Sequence, residues 1–119
     1  MTDARVDELI DMVVRFCEER DWDQYHNPKD LAIGISTEAG ELLDLFRFRN
    51  ESECMDLLSS DGSRADISDE LADVLFFVLR FAKAADIDLR EALESKVAKN
   101  ALKYPVDKAK GSNKKYTEF

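Results

Sequence analysis

Two pairs of acidic residues lie inside apolar runs of this 119-residue chain. Glu38 and Glu41 belong to the run IGISTEAGELLDLF, and Glu70 and Asp73 belong to the run ISDELADVLFFVLRF. Their spacing places the two acids of each pair about one turn apart on the same face of a helix. That face also carries leucine and isoleucine, where an unpaired buried charge costs several kcal/mol. We therefore expect a helical bundle whose inward acids surround cations.

Helical periodicity predicts four main helices and no strand. They cover the residues up to about Arg20, from Asp30 to about Phe48, from Ala65 to Ala85, and from Asp88 to Pro105. Residues 51–58 suit a short helix. The segment DWDQYHNPK, residues 21–29, follows neither period and predicts a loop, and SSDGS, residues 59–63, predicts a turn. The predicted fold class is all-α.

The charge is distributed unevenly along the chain. Residues 96–119 carry seven lysines and two acids, whereas the whole chain has a net charge of −9. Such an acidic body argues against binding to a nucleic-acid polymer. Cys17 and Cys54 have neither metal-ligand nor disulfide-framework spacing, and no apolar run reaches about 18 residues. We expect a cytoplasmic protein that does not cross a membrane.

Carboxylate oxygens without cysteine or paired histidines favour Mg²⁺, with Mn²⁺ as the second choice. Two such ions can hold a triphosphate and lower the pKa of a water molecule. A di-iron carboxylate bundle is the nearest alternative, but it needs Glu-x-x-His pairs, and the only histidine, His26, falls in the predicted loop. The acid pairs therefore favour magnesium-dependent phosphate chemistry.

Two further groups of residues suit the rest of a nucleotide. Lys96, Asn100 and Lys103 share one face of the predicted fourth helix, where cations can neutralise phosphate charge. Aromatic side chains near the acids can stack on a base, and they are Trp22, Tyr25, His26 and Phe48. Taken alone, however, Trp22 and His26 fit a structural role better than a role in binding.

Four stretches, DWDQYHNPKDLAIGISTEAGELLDLF, DELADVLFFV, SKVAKNALKYP and KGSNKKYTEF, resemble the MazG-like all-α nucleoside triphosphate pyrophosphohydrolases. Within that family, the resemblance is to the dCTP pyrophosphatase branch. It implies a four-helix-type bundle assembled as a homo-oligomer, commonly a tetramer arranged as a dimer of dimers, with sites where subunits meet. It also implies that residues 1–105 form the helical domain and that residues 106–119 form a lysine-rich tail completing the substrate site.

The resemblance assigns roles to particular residues. It implies that Mg²⁺ is bound by Glu38, Glu41, Glu70 and Asp73, and that Glu38 orients or deprotonates the attacking water. The matching substrate positions are Trp22, His26, Phe48, Phe77, Lys96, Asn100, Tyr104 and Lys115. Phe48 stands where dCTP-selective relatives carry tryptophan, and Phe77 stands where they carry tyrosine. Both departures concern the choice of base rather than the bond that is cleaved.

The implied reaction cleaves a nucleoside triphosphate, such as dCTP or a related pyrimidine nucleotide, between its α- and β-phosphates. The products are a monophosphate and pyrophosphate, and the implied role is removal of non-canonical or surplus nucleotides. Two alternatives stay open. One is a nucleotide-binding regulatory bundle without hydrolysis, which has no need for four inward acids. The other is a dUTPase-like relative, which would share the acids and prefer uracil.

Overall fold

The computed structural model describes residues 2–119, with side chains from Arg5 onward, and this part of the chain contains helices and no strand. The helices are α1 (Thr2–Glu19), α2 (Pro28–Asp44), α3 (Glu51–Ser59), α4 (Asp61–Ala85), α5 (Leu89–Lys103) and α6 (Val106–Ala109). Short 3-10 turns cover Asp23–Tyr25 and Tyr116–Glu118. The predicted all-α class is confirmed.

Side-chain caps explain where α2, α3 and α5 begin. The Asn27 side chain accepts a hydrogen bond from the Asp30 backbone N–H at 2.9 Å, and Pro28 occupies the first turn of α2. Asn50 and Glu53 form a reciprocal capping box at the start of α3. Asp88 caps α5 by accepting from the Glu91 N–H at 3.0 Å. The predicted start of the fourth helix at Asp88 is therefore confirmed.

The predicted turn over residues 59–63 is wrong, because α4 already begins at Asp61. Only Ser60 adopts an extended conformation between α3 and α4. The Ser63 hydroxyl donates to the carbonyls of Leu57 and Ser60, and Arg64 Nη1 donates to the Leu58 carbonyl. The bonds to Leu57 and Leu58 satisfy two of the carbonyls left free at the end of α3, and one residue separates the helices.

The second helix is shorter than predicted, ending at Asp44 rather than near Phe48. Residues 45–49 form tight turns. The Phe46 N–H donates to the Leu43 carbonyl at 2.9 Å, and the Arg49 N–H donates to the Phe46 carbonyl at 3.2 Å. Phe48 takes a left-handed conformation with φ of 65°. That conformation is uncommon for a bulky side chain, so it turns the chain before the cap of α3 at a cost in strain.

The chain forms two compact units, one up to Asp86 and one from Ile87 onward. In the first unit α4 is central, because α1, α2 and α3 all pack against it. Five apolar side chains form its buried core, namely Val13, Cys17, Leu31, Leu79 and Ala82. Many large apolar side chains stay exposed, including Met12 at 64% and Leu43 at 63%. A core this small leaves apolar surface available for association.

In the second unit the end of the chain folds back on the end of α5. The Tyr104 ring packs edge-on against Tyr116 and Phe119, with ring centroids 5.7 and 5.8 Å apart. The Lys103 ammonium lies 4.9 Å from the centre of the Tyr116 ring. The predicted division into residues 1–105 and a tail of residues 106–119 stays a prediction.

Among the helices of residues 2–119, none combines the length and apolar character needed to span a membrane.

Candidate active site

The packing of α2 on α4 brings three of the four predicted acids together. Carboxylate oxygens of Glu38, Glu41 and Glu70 all lie within 4.8 Å of one another. Glu38 and Glu70 are half-buried, whereas Glu41 is exposed. Asp73, one turn beyond Glu70 on α4, stands outside this group of three, but its charge acts on both half-buried acids. We call Glu38, Glu41 and Glu70 the acidic cluster.

The acidic cluster strongly disfavours full ionisation. A hydrogen bond with Glu41 raises the pKa of Glu38 to about 7, and burial and the charges of Glu41, Asp73 and Glu70 add to the effect. Burial, followed by a hydrogen bond with Glu41 and by neighbouring charges, also raises the pKa of Glu70. The surroundings of Glu38 and Glu70 thus favour a bound proton, and a cation between the acids would relieve the same repulsion.

Two oxygens of the cluster lack a partner that a cation could supply. Glu38 Oε2 and Glu70 Oε2 are buried, and neither has a hydrogen-bond partner within the described residues. Buried polar atoms are almost always satisfied in native proteins, so this pair calls for a missing partner. An oxygen-only donor set is the one that Mg²⁺ and Mn²⁺ prefer. The residues present thus fit a hard divalent cation.

A cavity of about 400 Å³ lies beside Asp73. Its walls come from α1, from α4 and from the loop after α1, and they consist of Met12, Val13, Phe16, Trp22, Asp73, Phe76 and Phe77. The lining is largely apolar and aromatic, which suits a planar ring. Two of the predicted substrate residues, Trp22 and Phe77, line this cavity, and Asp73 is the acid that faces it.

Four cavity residues were missed by the sequence analysis, namely Phe76 of α4 and Met12, Val13 and Phe16 of α1. The apolar period of α1 predicts only a packed face. Met12 and Phe16 nevertheless remain 64% and 40% exposed in the folded chain. The period of α1 marks these side chains as apolar, but only the packing of α1 on α4 turns part of that face into a cavity wall.

The end of α1 places Trp22 at the cavity. Trp22 N–H donates to the Cys17 carbonyl at 3.0 Å, and Asp21 N–H donates to the Glu18 carbonyl at 3.1 Å, the two bonds of a Schellman motif. Asp21 takes the left-handed conformation that the motif requires, with φ of 52°. The Trp22 ring then meets Phe16 edge-on, with centroids 5.5 Å apart.

His26 makes a structural contact with α4. Arg80 Nε donates to His26 Nδ1 at 3.1 Å. A guanidinium can only donate, so Nδ1 is unprotonated and the neutral ring carries its proton on Nε2. Burial, aided by the charge of Arg80, lowers the pKa of His26. The predicted role of His26 at the base stays a prediction, and Arg80 is a further residue that the sequence analysis missed.

Phe48 is 92% exposed and is not part of the cavity lining. The Arg47 guanidinium lies over its ring at 4.5 Å. The other predicted substrate residues belong to the second unit: Lys96 and Asn100 lie on α5, Tyr104 ends it, and Lys115 precedes the last 3-10 turn. Their roles in binding, and that of Phe48, stay predictions.

Known proteins similar to this chain include dCTP pyrophosphatase 1 of several mammals. The Homo sapiens protein is 38% identical over 104 residues, which are 87% of this chain and 61% of that protein. The Mus musculus protein is 36% identical over the same share of each chain. The Bos taurus protein is 32% identical over 118 residues, 99% of this chain and 70% of that protein. The chain thus spans about three fifths of the length of the first two relatives.

A crystal structure of a pyrophosphatase from Archaeoglobus fulgidus superimposes with a TM-score of 0.79. The two proteins are 37% identical, and the match covers 85% of this chain and 93% of that one. The family model of the MazG-like family matches residues 33–119, which include both acid pairs. The resemblance found in the sequence is therefore confirmed, and this chain belongs to the MazG-like family.

Proposed function

We propose that this protein is a nucleoside triphosphate pyrophosphohydrolase. It cleaves deoxynucleoside or ribonucleoside triphosphates between the α- and β-phosphates, and it prefers dCTP or related pyrimidine nucleotides. The observation that carries the proposal is an acidic cluster of three carboxylates within 4.8 Å, next to an aromatic cavity of about 400 Å³ that Asp73 also lines. The names of the similar proteins, dCTP pyrophosphatase 1 and a pyrophosphatase, support the same chemistry.

We propose Mg²⁺ as the cofactor, with Mn²⁺ as a substitute. Glu38, Glu41 and Glu70 would hold it, and Asp73 would complete the acidic set. The orphaned oxygens of Glu38 and Glu70 support this assignment. A bound divalent ion supplies neutralisation of phosphate charge and activation of water.

The side chains of the chain itself would position the substrate. We propose that Trp22 and Phe77 hold the base in the cavity and that Glu38 accepts the proton of the attacking water, as the family resemblance implies. For the remaining residues we keep the roles implied by the family: Phe48 and His26 near the base, and Lys96, Asn100, Tyr104 and Lys115 near the substrate.

We also propose that the chain works as a homo-oligomer, a tetramer arranged as a dimer of dimers, in which helices complete four-helix-type bundles. The small core and the exposed Met12 and Leu43 support association. Removal of surplus nucleotides in the cytoplasm is the proposed role, and the unpaired thiols of Cys17 and Cys54 fit a reducing compartment.

The test is a panel of ribonucleoside and deoxynucleoside triphosphates incubated with Mg²⁺ or with EDTA, with the products separated by chromatography. We expect Mg²⁺-dependent formation of monophosphate and pyrophosphate, fastest with dCTP or another cytosine nucleotide. Glu38→Gln should lower kcat by about 100-fold or more, since it removes a general base and a charged ligand. Glu8→Gln, an exposed acid of α1 outside the site, is the matched control.

Three results would contradict this proposal. Orthophosphate or diphosphate products would indicate a different bond cleavage, and fastest turnover of dUTP would favour a dUTPase-like enzyme. Nucleotide binding without turnover of any triphosphate would favour a regulatory bundle.

A further inference from the structure

Arg80 is the one charged side chain that is buried among residues 5–119, with 7% of its surface exposed. It lies on α4, two turns beyond Asp73 and outside the lining of the cavity. A buried guanidinium is costly unless its donors are used, so its partners indicate what the burial accomplishes.

Both partners of Arg80 come from the loop that follows Trp22. Arg80 Nη2 donates to Asp23 Oδ1 at 2.7 Å, and Arg80 Nε donates to His26 Nδ1 at 3.1 Å. Asp23 begins the 3-10 turn of this loop, and His26 follows its end. The planar guanidinium thus donates hydrogen bonds at both ends of the turn. A lysine ammonium cannot do so with the same geometry.

The chain is fixed by hydrogen bonds on both sides of Trp22. On one side, the Schellman motif fixes its backbone to Cys17 at 3.0 Å. On the other side, the next residue in the chain is Asp23, the ion-pair partner of Arg80. Arg80 belongs to α4, so its hydrogen bonds connect the Trp22 loop to that helix. The same helix carries Asp73, Phe76 and Phe77, which form the other wall of the cavity.

We propose that Arg80 is a positioning residue that sets the place of Trp22 at the cavity through Asp23 and His26, and thereby sets the affinity for the nucleotide base. This inference rests on the proposed function insofar as the cavity takes the base. Arg80 itself touches neither the cavity nor the acidic cluster, so its effect belongs to binding rather than to bond cleavage.

Trp22 is the only tryptophan of the chain, so its fluorescence reports on its own position. We would measure acrylamide quenching and anisotropy for the full-length wild type, Arg80→Lys and Asp23→Asn without nucleotide. In both variants, Trp22 fluorescence should be quenched about twofold more readily and have lower anisotropy, because each substitution weakens the hydrogen bonds between Arg80 and the turn. Arg90→Lys, which changes an arginine paired with Glu94 on α5, is the matched control and should behave as wild type.

Steady-state kinetics on the best triphosphate form the second measurement. Arg80→Lys and Asp23→Asn should raise KM roughly tenfold, the size of one lost charge-assisted hydrogen bond, and change kcat by no more than about twofold. A purely structural role would instead lower the active fraction, so kcat would fall while KM stayed the same. Asp23 is exposed, so Asp23→Asn keeps the test available if Arg80→Lys does not fold.

The outcomes separate the inference from the proposed function. Unchanged quenching in both variants overturns the positioning role, and altered quenching with unchanged KM overturns its effect on affinity. A fall in kcat at constant KM overturns the inference as well. If the wild type hydrolyses no triphosphate, the proposed function fails, and nucleotide titration of Trp22 fluorescence in the variants then decides whether Arg80 sets affinity.

Discussion

At the scale of single residues, Glu38 lies where a proton and the proposed divalent cation would compete for the same oxygens. Its pKa is raised to about 7 by the hydrogen bond with Glu41, by burial and by the surrounding acids. A cation between the acids would remove the cause of that shift, because it replaces repulsion with attraction. Glu38 should therefore bind a metal better as the pH rises, with release of a proton.

We predict that, in EDTA, the melting temperature falls as the pH rises through about 7. The folded-state pKa of Glu38 lies above its ordinary value of 4.5, so the folded protein binds this proton more tightly than the unfolded chain does. That contribution to stability is complete below pH 4.5 and is lost as the pH rises through about 7. Thermal melts across this range, with and without Mg²⁺, provide the measurement.

Mg²⁺ should restore the melting temperature at high pH and have little effect at low pH, because it replaces the proton. Glu38→Gln should flatten the pH dependence in EDTA, whereas Glu8→Gln should keep the slope of the wild type. If Glu38→Gln retains the full slope, the titrating group lies elsewhere.

The role of Arg80 cannot be found from its neighbours in the sequence. It interrupts the apolar run VLFFVLRF at a position where the helical period predicts a core. The interruption is visible in the sequence, but its partners Asp23 and His26 precede it by 57 and 54 positions. No local rule connects residues so far apart.

At the scale of elements, the contact between α2 and α4 depends on the absence of a side chain at Gly34. A Cβ placed there would lie 2.5 to 2.9 Å from ring atoms of Phe77, closer than real carbon atoms approach. Glycine thus lets α2 approach the ring directly. The same contact holds Glu38 and Glu41 opposite Glu70, so one close approach serves both the cavity wall and the acidic cluster.

We predict that Gly34→Ala destabilises the protein by roughly 1–3 kcal/mol, the usual cost of an overpacked core, despite the gain in helix propensity. Gly62→Ala, in the first turn of α4, has nothing within 4 Å of its new Cβ and should change stability by no more than about 1 kcal/mol, in the stabilising direction. Urea unfolding of both variants measures the difference.

Gly34→Ala should also weaken nucleotide binding, because the Phe77 ring must move within the cavity wall. A stability equal to that of Gly62→Ala would mean that the ring shifts without cost and that the α2–α4 contact is adaptable.

At the scale of the whole molecule, the second unit is organised by the aromatic contacts of Tyr104 rather than by a buried core. Every residue of α5 after Leu89 is exposed, and the packing is between Tyr104, Tyr116 and Phe119. These contacts order the segment that contains Lys114 and Lys115. A lysine-rich end would otherwise be expected to stay solvated.

We predict that deletion of residues 111–119 raises KM for the triphosphate roughly tenfold or lowers kcat, because it removes Lys115 together with the rings that hold its segment in place. Tyr116→Phe, which keeps the ring on Tyr104, is the control and should retain the kinetics of the wild type. Light scattering verifies that the mass of the assembly is unchanged. Equal kinetics for the deletion and the wild type would exclude the tail from the site.

Features of short range were predictable from the residues alone. The helical period, the caps at Asn27, Asn50 and Asp88, and the acid pairs on single faces all depend on residues within one or two turns of each other. The same local rules gave the all-α class, and the motifs gave the family. They failed where local signals competed, as at residues 59–63, where hydrogen bonds from Ser63 and Arg64 outweigh the turn signal of the sequence.

Features that depend on residues far apart in the sequence became visible only in the folded chain. The raised pKa of Glu38 exists because α4 brings Glu70 and Asp73 to it across about 30 positions of sequence. The cavity exists because α1, α4 and the Trp22 loop meet, and Arg80 acquires a role only when its helix reaches that loop. Electrostatic energy and packing depend on distance in space, and tertiary contacts set that distance for residues far apart in the chain.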